Sequence, residues 1–279
     1  MFHPRIHRHR FLEISFYPNP LVNRRSFVQT GCFAALGGLA PLHAAAAKAV
    51  SKKKGCCGLD QETIAKLGGS WYYTWGTHGQ ASTPLEFVPM IKGRNDLQGE
   101  GALNKVREMK NITHLLGYNE PERGSQGNLT VDDALNNWPR LEKVALEKDL
   151  DLGSPAPSSD GPGMDYFHSF MDKAKTRKLR VDFVAVHWYR SRDAGAFDAF
   201  VDDLGKRYKI PVWVTEFNGW SGDEPENYKF LKDALRNLER NRHVERYAYM
   251  EPGKGSPLSL FKADGSLSRL GELYCDAGT

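Results

Sequence analysis

The chain has 279 residues, of which 40% are hydrophobic and 26% are charged, and its formal net charge is +4. The excess positive charge lies in residues 1–47, which hold five arginines against Glu13 alone, so residues 48–279 are close to neutral. This distribution excludes nucleic-acid binding driven by net charge, and the length of the second segment suits one domain with a single core.

Residues 1–47 have the three-part layout of a cleavable export signal. Arg24 and Arg25 are followed by a weakly apolar stretch, Gly31–Leu42, and by a run of alanines, Ala44–Ala47. The paired arginines favour the twin-arginine route, so residues 48–279 would act in the periplasm or outside the cell. The alternatives are a basic tail before a short helix and a lipid anchor at Cys32, whose preceding residues fit acylation poorly. No stretch of the chain reaches the roughly 20 apolar residues of a membrane span.

Three cysteines follow the signal: Cys56, Cys57 and Cys275. In an exported protein, Cys275 can form a disulfide with one member of the adjacent pair. The alternative is burial as small apolar side chains. The spacing does not match a zinc site, and we expect neither a metal nor a cofactor.

Eight short apolar, aromatic or β-branched runs follow the signal and predict strands. They lie at Gly55–Leu59, Ser70–Trp75, Glu86–Ile91, Thr113–Asn119, Leu150–Ala156, Val181–Tyr189, Val212–Phe217 and Arg246–Met250. Most are separated by segments with helical spacing, and several are apolar on both faces, as in buried parallel sheets. No glycine-rich phosphate loop follows the first run, which argues against an open doubly wound sheet. The sequence therefore predicts a single (β/α)8 TIM barrel over residues 48–279.

Two helices can be predicted in detail. Thr130 and Asp133 form a capping box at the start of one helix, which Pro139 should kink. Pro225 lies just inside the start of the other. The apolar stripes are Leu135, Trp138, Leu141 and Ala145 in the first helix and Tyr228, Leu231, Leu235 and Leu238 in the second. The segment between Trp75 and Glu86 is weak for a helix and is expected to be a long loop.

Aromatic and polar side chains follow the predicted strands where the active face of such a barrel lies. Aromatic rings bind the C–H faces of sugars, and hydroxyls need planar hydrogen-bonding groups, so these side chains predict a carbohydrate site. Trp75 and Trp188 are the preferred ligand contacts. His187 is either a hydrogen-bonded structural residue or a participant, and each aromatic residue is either core or subsite. The candidates for substrate binding are Asn119, Trp75, Tyr118, His187, Trp188, Tyr189, Trp220 and Tyr249.

Glu120 and Glu216 each end their own predicted strand, in the runs LLGYNEPE and VWVTEFNGW. Two such carboxylates can cleave a glycosidic bond. Pro121 should hold Glu120 in extended geometry. In a retaining mechanism one carboxyl begins protonated, and a neighbouring carboxylate is expected to raise its pKa. Glu122 and Glu251 are weaker candidates for a catalytic role. Glu122 is expected to be a carboxylate at the start of a helix, and Glu251 a residue at the rim of the barrel.

The motifs GYNEPE, WVTEF, HWY and EFVPMIKG resemble glycoside hydrolase family 128, a clan A family of retaining glycosidases. Its members include relatives of an alkali-sensitive-linkage cell-wall protein, and the family acts on β-1,3-glucan. The resemblance implies Glu120 as acid/base and Glu216 as nucleophile. It also implies that Asn119, Trp188 and Tyr189 lie near the substrate.

The chain departs from the family pattern at two places. Tyr247–Met250 reads YAYM where a pattern like YAWF is expected, and the region between the second and third strands is short, which predicts an open groove. We expect an exported, monomeric, retaining endo-β-1,3-glucanase whose partner is a β-glucan. The alternatives are a non-catalytic β-glucan-binding protein and a clan relative acting on mannan or another β-linked polymer.

Overall fold

The computed structural model describes residues 51–82 and 84–278. The predicted export signal, its boundary at residue 47 and the alternative lipid anchor at Cys32 lie outside these residues. None of the helices within the described ranges is long and apolar enough to cross a bilayer.

The described residues form eight strands at the positions that the sequence predicts. They are β1 Lys54–Cys57, β2 Trp71–Tyr73, β3 Glu86–Phe87, β4 His114–Leu115, β5 Asp151–Leu152, β6 Val184–Trp188, β7 Val212–Phe217 and β8 Val244–Met250. Seven α-helices lie in the same ranges: α1 Gln61–Lys66, α2 Gly101–Glu108, α3 Val131–Lys148, α4 Gly161–Thr176, α5 Ala194–Tyr208, α6 Glu224–Arg240 and α7 Arg269–Asp276. A 3₁₀ helix spans Arg94–Leu97. The described residues between β2 and β3 contain no helix, in agreement with the predicted loop.

The strands close into a barrel. A six-stranded sheet has the order β3-β2-β1-β8-β7-β6, and β4 pairs with β5, all in parallel. Parallel bridges between Met90 and Leu116 and between Gly153 and Phe183 join the two sheets at both edges. The (β/α)8 fold predicted from the sequence is therefore confirmed.

Alternation along the strands divides the core into two layers. Trp71 on β2 lies 5.0 Å from Trp213 on β7, measured between ring centroids, although these strands are not neighbours, so both rings fill the barrel interior. The second layer lies between strands and helices. Interior residues are Cys57, Trp71, Tyr73, Val88, Met90, Leu116, Ala156, Phe183, Ala185, Trp213 and Ala248.

Side chains cap both of the predicted helices, but only the Thr130 half of the predicted Thr130–Asp133 capping box forms. Asp223 and Glu226 form a reciprocal capping box at the start of α6, and Thr130 accepts a hydrogen bond from the Asp133 amide at 3.1 Å at the start of α3. Helix α3 continues through Pro139. The four predicted stripe residues of α3 are buried.

An ionic group closes the N-terminal end of the barrel. Arg246 lies 4.3 Å from the ring centroid of Trp213 and 2.8 Å from Glu86, and His114 Nδ1 lies 3.1 Å from the same carboxylate. Burial raises the pKa of Glu86, but the hydrogen bond of His114 and the charge of Arg246 outweigh burial and lower it to about 2. This end of the barrel is a packed plug, as its position opposite the active face predicts.

Adjacent lysines on and before β1 hold the ends of two helices. Lys53 Nζ donates to the carbonyls of Leu238, Glu239 and Asn241 at the end of α6, at 3.2, 2.9 and 3.1 Å. Buried Lys54 does the same at the end of α7, donating to the carbonyls of Tyr274, Cys275 and Ala277 at 2.8, 3.0 and 3.0 Å. These contacts satisfy helix-terminal carbonyls that have no partner within their helix.

The cysteines follow the burial alternative rather than the disulfide. Cys56 and Cys57 are free thiols buried in the core, and Cys275 Sγ lies 3.4 Å from the Lys66 carbonyl. Of the two alternatives that the sequence left open, the disulfide is therefore not formed. Burial raises the pKa of Cys56 to about 12, so this thiol stays protonated and inert.

Candidate active site

A β-bulge aims Glu216 into the mouth of the barrel. Val214 pairs with Val186, but Glu216 pairs with His187, so Thr215 is an extra residue on β7. Such a bulge reverses the alternation of side chains beyond it. Glu216 therefore lies beside His187 at the carboxyl ends of the strands.

Glu216 is held by three donors, two from the end of β2 and one from the residue after β6. Its Oε1 accepts from Tyr73 Oη at 3.0 Å and from Trp75 Nε1 at 2.7 Å, and its Oε2 accepts from Tyr189 Oη at 2.6 Å. The side chain is 8% exposed. A buried carboxylate is stable only when hydrogen bonds replace its lost hydration, and three donors provide that replacement.

Glu120 lies opposite, at the end of the chain segment that follows β4. Its side chain is 18% exposed, and its amide donates to the Ala156 carbonyl at 2.7 Å. The expectation that Pro121 keeps Glu120 extended is wrong, because its φ is +38°. The Glu120 carbonyl accepts from the amides of Arg123 and Gly127 at 3.0 and 3.3 Å, which turns the chain directly after the residue.

His187 lies between the two carboxylates with its side chain fully buried. Its Nδ1 is 3.3 Å from Glu120 Oε1, and its Nε2 is 3.5 Å from Glu216 Oε1. Burial lowers the pKa of His187, but the negative charges of Glu216 and Glu120 outweigh burial and raise it. Sequence reasoning left this residue between a structural and a functional role, and the geometry gives it contacts with both glutamates.

The pKa of Glu120 differs from the expectation. Burial raises this pKa, but the hydrogen bond and positive charge of His187 outweigh burial and leave it below its usual value. The expectation that a neighbouring carboxylate raises it is therefore wrong for the site without substrate. The physical reason is the imidazole between the two acids.

Five predicted substrate contacts lie at the mouth. Asn119 is buried, and its Oδ1 has no hydrogen-bond partner within the described part of the chain, so it can accept from a ligand. Trp220 is 68% exposed and lies 5.8 Å from Tyr189, measured between ring centroids. Trp75 and Tyr189 contact Glu216, and His187 contacts both glutamates.

The other three predicted contacts are not brought to the mouth. Tyr118 is buried and donates to the Ala134 carbonyl at 3.3 Å. Trp188 stacks on Phe197 at 4.8 Å between ring centroids, and Tyr249 donates to the Leu258 carbonyl at 2.6 Å. All three rings pack in the layer between strands and helices, because they alternate with residues that face the interior.

Sequence reasoning missed the role of Tyr73. It did not select this residue, although Tyr73 ends β2 and donates to Glu216. The signal was available, because Trp71, Tyr73 and Trp75 share one face of a strand with period two. Trp75 and Trp220 also have positive φ angles of +54° and +64°. Such backbone costs about 1–3 kcal/mol per residue and concentrates at functional sites.

Glu122 and Glu251, the weaker candidates for a catalytic role, accept hydrogen bonds from backbone amides of loops. Glu122 Oε1 accepts from the Ser158 amide at 2.9 Å. Glu251 accepts from the amides of Gly253 and Leu260 at 3.0 and 2.8 Å and so folds the segment after β8. Among the described residues, no group of three or more His, Cys, Asp and Glu side chains is arranged to hold a metal ion.

Comparison with known proteins gives a consistent result. The sequence model of the glycosyl hydrolase catalytic core family matches residues 53–274. An endo-β-1,3-glucanase of glycoside hydrolase family 128, subgroup I, from Amycolatopsis mediterranei, solved with laminaritriose, is 28% identical, with a TM-score of 0.70. The match covers 82% of this chain and 100% of that one. Comparison with curated protein sequences found no match.

Two other solved structures represent further subgroups. A subgroup II endo-β-1,3-glucanase from Sorangium cellulosum is 29% identical, with a TM-score of 0.70 and coverage of 81% of this chain and 99% of that one. A subgroup III curdlan-specific exo-β-1,3-glucanase from Blastomyces gilchristii, solved with glucose, is 29% identical, with a TM-score of 0.66 and coverage of 80% and 97%.

Proposed function

Since the chain belongs to the glycosyl hydrolase catalytic core family and is a glycoside hydrolase, we propose that it cleaves β-1,3-glucan with Glu120 and Glu216 as its catalytic pair. Its resemblance to glycoside hydrolase family 128 is confirmed by the structural comparisons. The observation that carries the catalytic assignment is the convergence of both carboxylates on one imidazole at the barrel mouth.

The surroundings of Glu216 support its role as nucleophile. Donors from Tyr73, Trp75 and Tyr189 bond both of its oxygens and fix their direction. The carboxylate attacks the anomeric carbon and forms a glycosyl ester, while the bond to the leaving oxygen breaks. Water then hydrolyses that ester and regenerates the carboxylate.

Glu120 supplies and recovers the proton of this reaction. It protonates the leaving oxygen in the first step and takes a proton from water in the second. Its greater exposure leaves its carboxyl accessible to a sugar oxygen and to incoming water. A retaining mechanism requires the two carboxyl groups to lie about 5–5.5 Å apart.

The substrate assignment rests on the relatives. The Amycolatopsis protein was solved with laminari-oligosaccharides, also after replacement of either of two glutamates. The spacing of those glutamates along its chain is within one residue of that between Glu120 and Glu216 here. Exposed Trp220, which packs against Tyr189, offers a ring face for a sugar beside the nucleophile.

We assign the endo mode of cleavage. The short segment between β2 and β3 favours an open groove that a polymer can cross, and the relatives of subgroups I and II are described as endo-acting. We also propose that residues 1–47 direct export by the twin-arginine route to the periplasm or beyond, and that the enzyme acts as a monomer.

The test is release of reducing sugar from β-1,3-, β-1,4- and mixed-linkage glucans and from mannan. Purified wild type is compared with Glu120→Gln, Glu216→Gln and the matched surface control Glu62→Gln, whose carboxylate pairs with Lys66 on α1. We expect cleavage of β-1,3-glucan by wild type and the control, and its loss in both site variants. Retention on insoluble β-1,3-glucan without cleavage would instead make this a binding protein.

A further inference from the structure

The position of His187 restricts the protonation states of the site. Its Nδ1 faces Glu120 Oε1 at 3.3 Å, and its Nε2 faces Glu216 Oε1 at 3.5 Å. A neutral imidazole has one nitrogen without a proton. If both glutamates were ionised, the lone pair of that nitrogen would face a carboxylate oxygen, which is repulsive. Both contacts are favourable only when His187, Glu120 and Glu216 together hold at least one proton more than they do in that state.

That proton can lie on His187 or on either glutamate, but Glu216 Oε1 already accepts from Tyr73 and Trp75, so two arrangements remain. In the first, His187 carries a proton on each nitrogen, so Nδ1–H donates to Glu120 and the positive ring lies at ion-pair distance, 3.5 Å, from Glu216 Oε1. In the second, the proton lies on Glu120 Oε1 and is donated to Nδ1, while Nε2–H faces Glu216 Oε1 at 3.5 Å. Both arrangements contain the same number of protons and the same net charge, and they differ by one transfer between Nδ1 and Oε1.

We infer that His187 is a positioning residue that holds the catalytic proton of the resting enzyme and passes it from Nδ1 to Glu120 Oε1. The inference rests on the proposed function, because the second arrangement is the one that a retaining glycosidase needs. The transfer converts imidazolium and carboxylate into neutral imidazole and carboxylic acid. Glu120 then gives this proton to the leaving oxygen, and Glu216 attacks as a carboxylate.

Every element around His187 presents acids or hydroxyls to it. Glu120 and Glu122 approach from the segment after β4, and Glu216 approaches from β7. Tyr189 directly follows β6, the strand that carries His187. Tyr73 from β2 reaches Glu216 on the far side. The charges of Arg123 and Asp160 act on Glu120 in opposite directions. Negative charge therefore dominates around the ring and favours retention of the proton.

This arrangement resolves the lowered pKa of Glu120. A glutamate that is ionised in the resting enzyme cannot by itself act as a general acid. Here the proton that Glu120 needs is held on His187 Nδ1, 3.3 Å from Glu120 Oε1. The apparent pKa at which that proton is lost therefore describes the His187–Glu120 pair and not either residue alone. The pair stays protonated to a higher pH than Glu120 alone, because two sites are available to one proton.

The first experiment measures the titration of the His187 ring by NMR, with wild type compared with Glu120→Gln. We expect His187 to titrate above the usual pH of histidine in wild type and at lower pH in the variant. His168, which bonds Tyr208 on the outer surface, is the internal control and should not move. A His187 titration that Glu120→Gln leaves unchanged would overturn the inference. This measurement needs no turnover, so it is independent of whether the proposed substrate is correct.

The second experiment measures the pH dependence of kcat/KM for His187→Asn on a β-1,3-glucan oligosaccharide, with His168→Asn as control. Asparagine keeps a donor near the Nδ1 position but cannot hold the proton. We expect the basic limb to move to lower pH, with about a tenfold or greater loss at the pH where wild type begins to decline. On the acidic side the variant should stay within a few-fold of wild type. A uniform loss at every pH would indicate a merely structural role and contradict the inference.

Discussion

The contact between Trp75 and Glu216 gives the most discriminating prediction about the site. The sequence suggested that Trp75 stacks on a sugar, whereas its Nε1 donates to Glu216 Oε1 at 2.7 Å. Replacement by phenylalanine removes the donor and keeps an aromatic ring. A hydrogen bond to a charged group contributes about 1.5–3 kcal/mol, so the loss corresponds to about a 10- to 150-fold fall in kcat/KM.

The assay is steady-state cleavage of short and long β-1,3-linked oligosaccharides by wild type and Trp75→Phe, with thermal unfolding measured in parallel. A donor that orients the nucleophile acts at the reacting carbon whatever the chain length. We therefore expect kcat to fall by a similar factor for every substrate. The smaller ring leaves space beside Gly58, so a destabilisation of about 1–3 kcal/mol is also expected.

The matched comparison is Trp220→Phe, since this indole is exposed and has no bond to either catalytic carboxylate. Its replacement should raise KM for long substrates and change kcat little. The reasoning would be refuted if Trp75→Phe raised KM for long substrates with kcat unchanged. That result would return Trp75 to the stacking role.

Three further predictions concern the framework. Glu86→Gln should lower the free energy of unfolding by about 2–3 kcal/mol at neutral pH, because the lowered pKa of Glu86 stabilises the folded wild type above the unfolded-state pKa. Wild type loses this stability as the pH falls towards about 2. The difference between the two proteins in urea unfolding should therefore shrink between about pH 5 and pH 2. Lys54→Met removes three hydrogen bonds to carbonyls at the end of α7 and should cost about 2–4 kcal/mol by urea unfolding. A change below about 0.5 kcal/mol, the size expected of a neutral surface substitution, would contradict the assigned contacts. Tyr249→Trp restores the tryptophan of the family pattern, but the site is buried, so it should destabilise by about 1–3 kcal/mol without lowering KM; a lower KM would place residue 249 at the mouth.

The barrel could be predicted from the sequence because its signals are local. Segments with strand periodicity alternate with segments of helical periodicity, and this alternation predicted all eight strands. For β7 both observed ends coincide with the predicted ones. The strands β3, β4 and β5 are shorter than predicted, since regular pairing lasts two residues in each and gives way to isolated bridges at Met90 and Gly153.

The face of the strand on which each side chain lies could also be predicted, but the alternation of side chains along a strand was not used to choose the candidates. In the run HWY, His187 and Tyr189 share one face of β6, and Trp188 lies on the other. Tyr247 and Tyr249 likewise share a face of β8 that points to the helices. Trp188 and Tyr249 were therefore poor candidates for sugar contacts.

The geometry at the two glutamates depends on backbone features that no local pattern reveals. The extra residue Thr215 decides that Glu216 faces the mouth, and the positive φ of Glu120 reverses the effect expected from Pro121. The place of His187 between them follows from both features together. Its effect on the pKa of Glu120 could be predicted only with the structure.

The central claim is a retaining cleavage with Glu216 as nucleophile, and trapping of the intermediate tests it most directly. A 2-deoxy-2-fluoro β-glucosyl oligosaccharide with a good leaving group is incubated with the enzyme, and the digested protein is analysed by mass spectrometry. We predict a glycosyl ester on Glu216, together with β-configured first products of β-1,3-glucan cleavage by NMR. Label on another residue, or first products in the α configuration, would contradict the account.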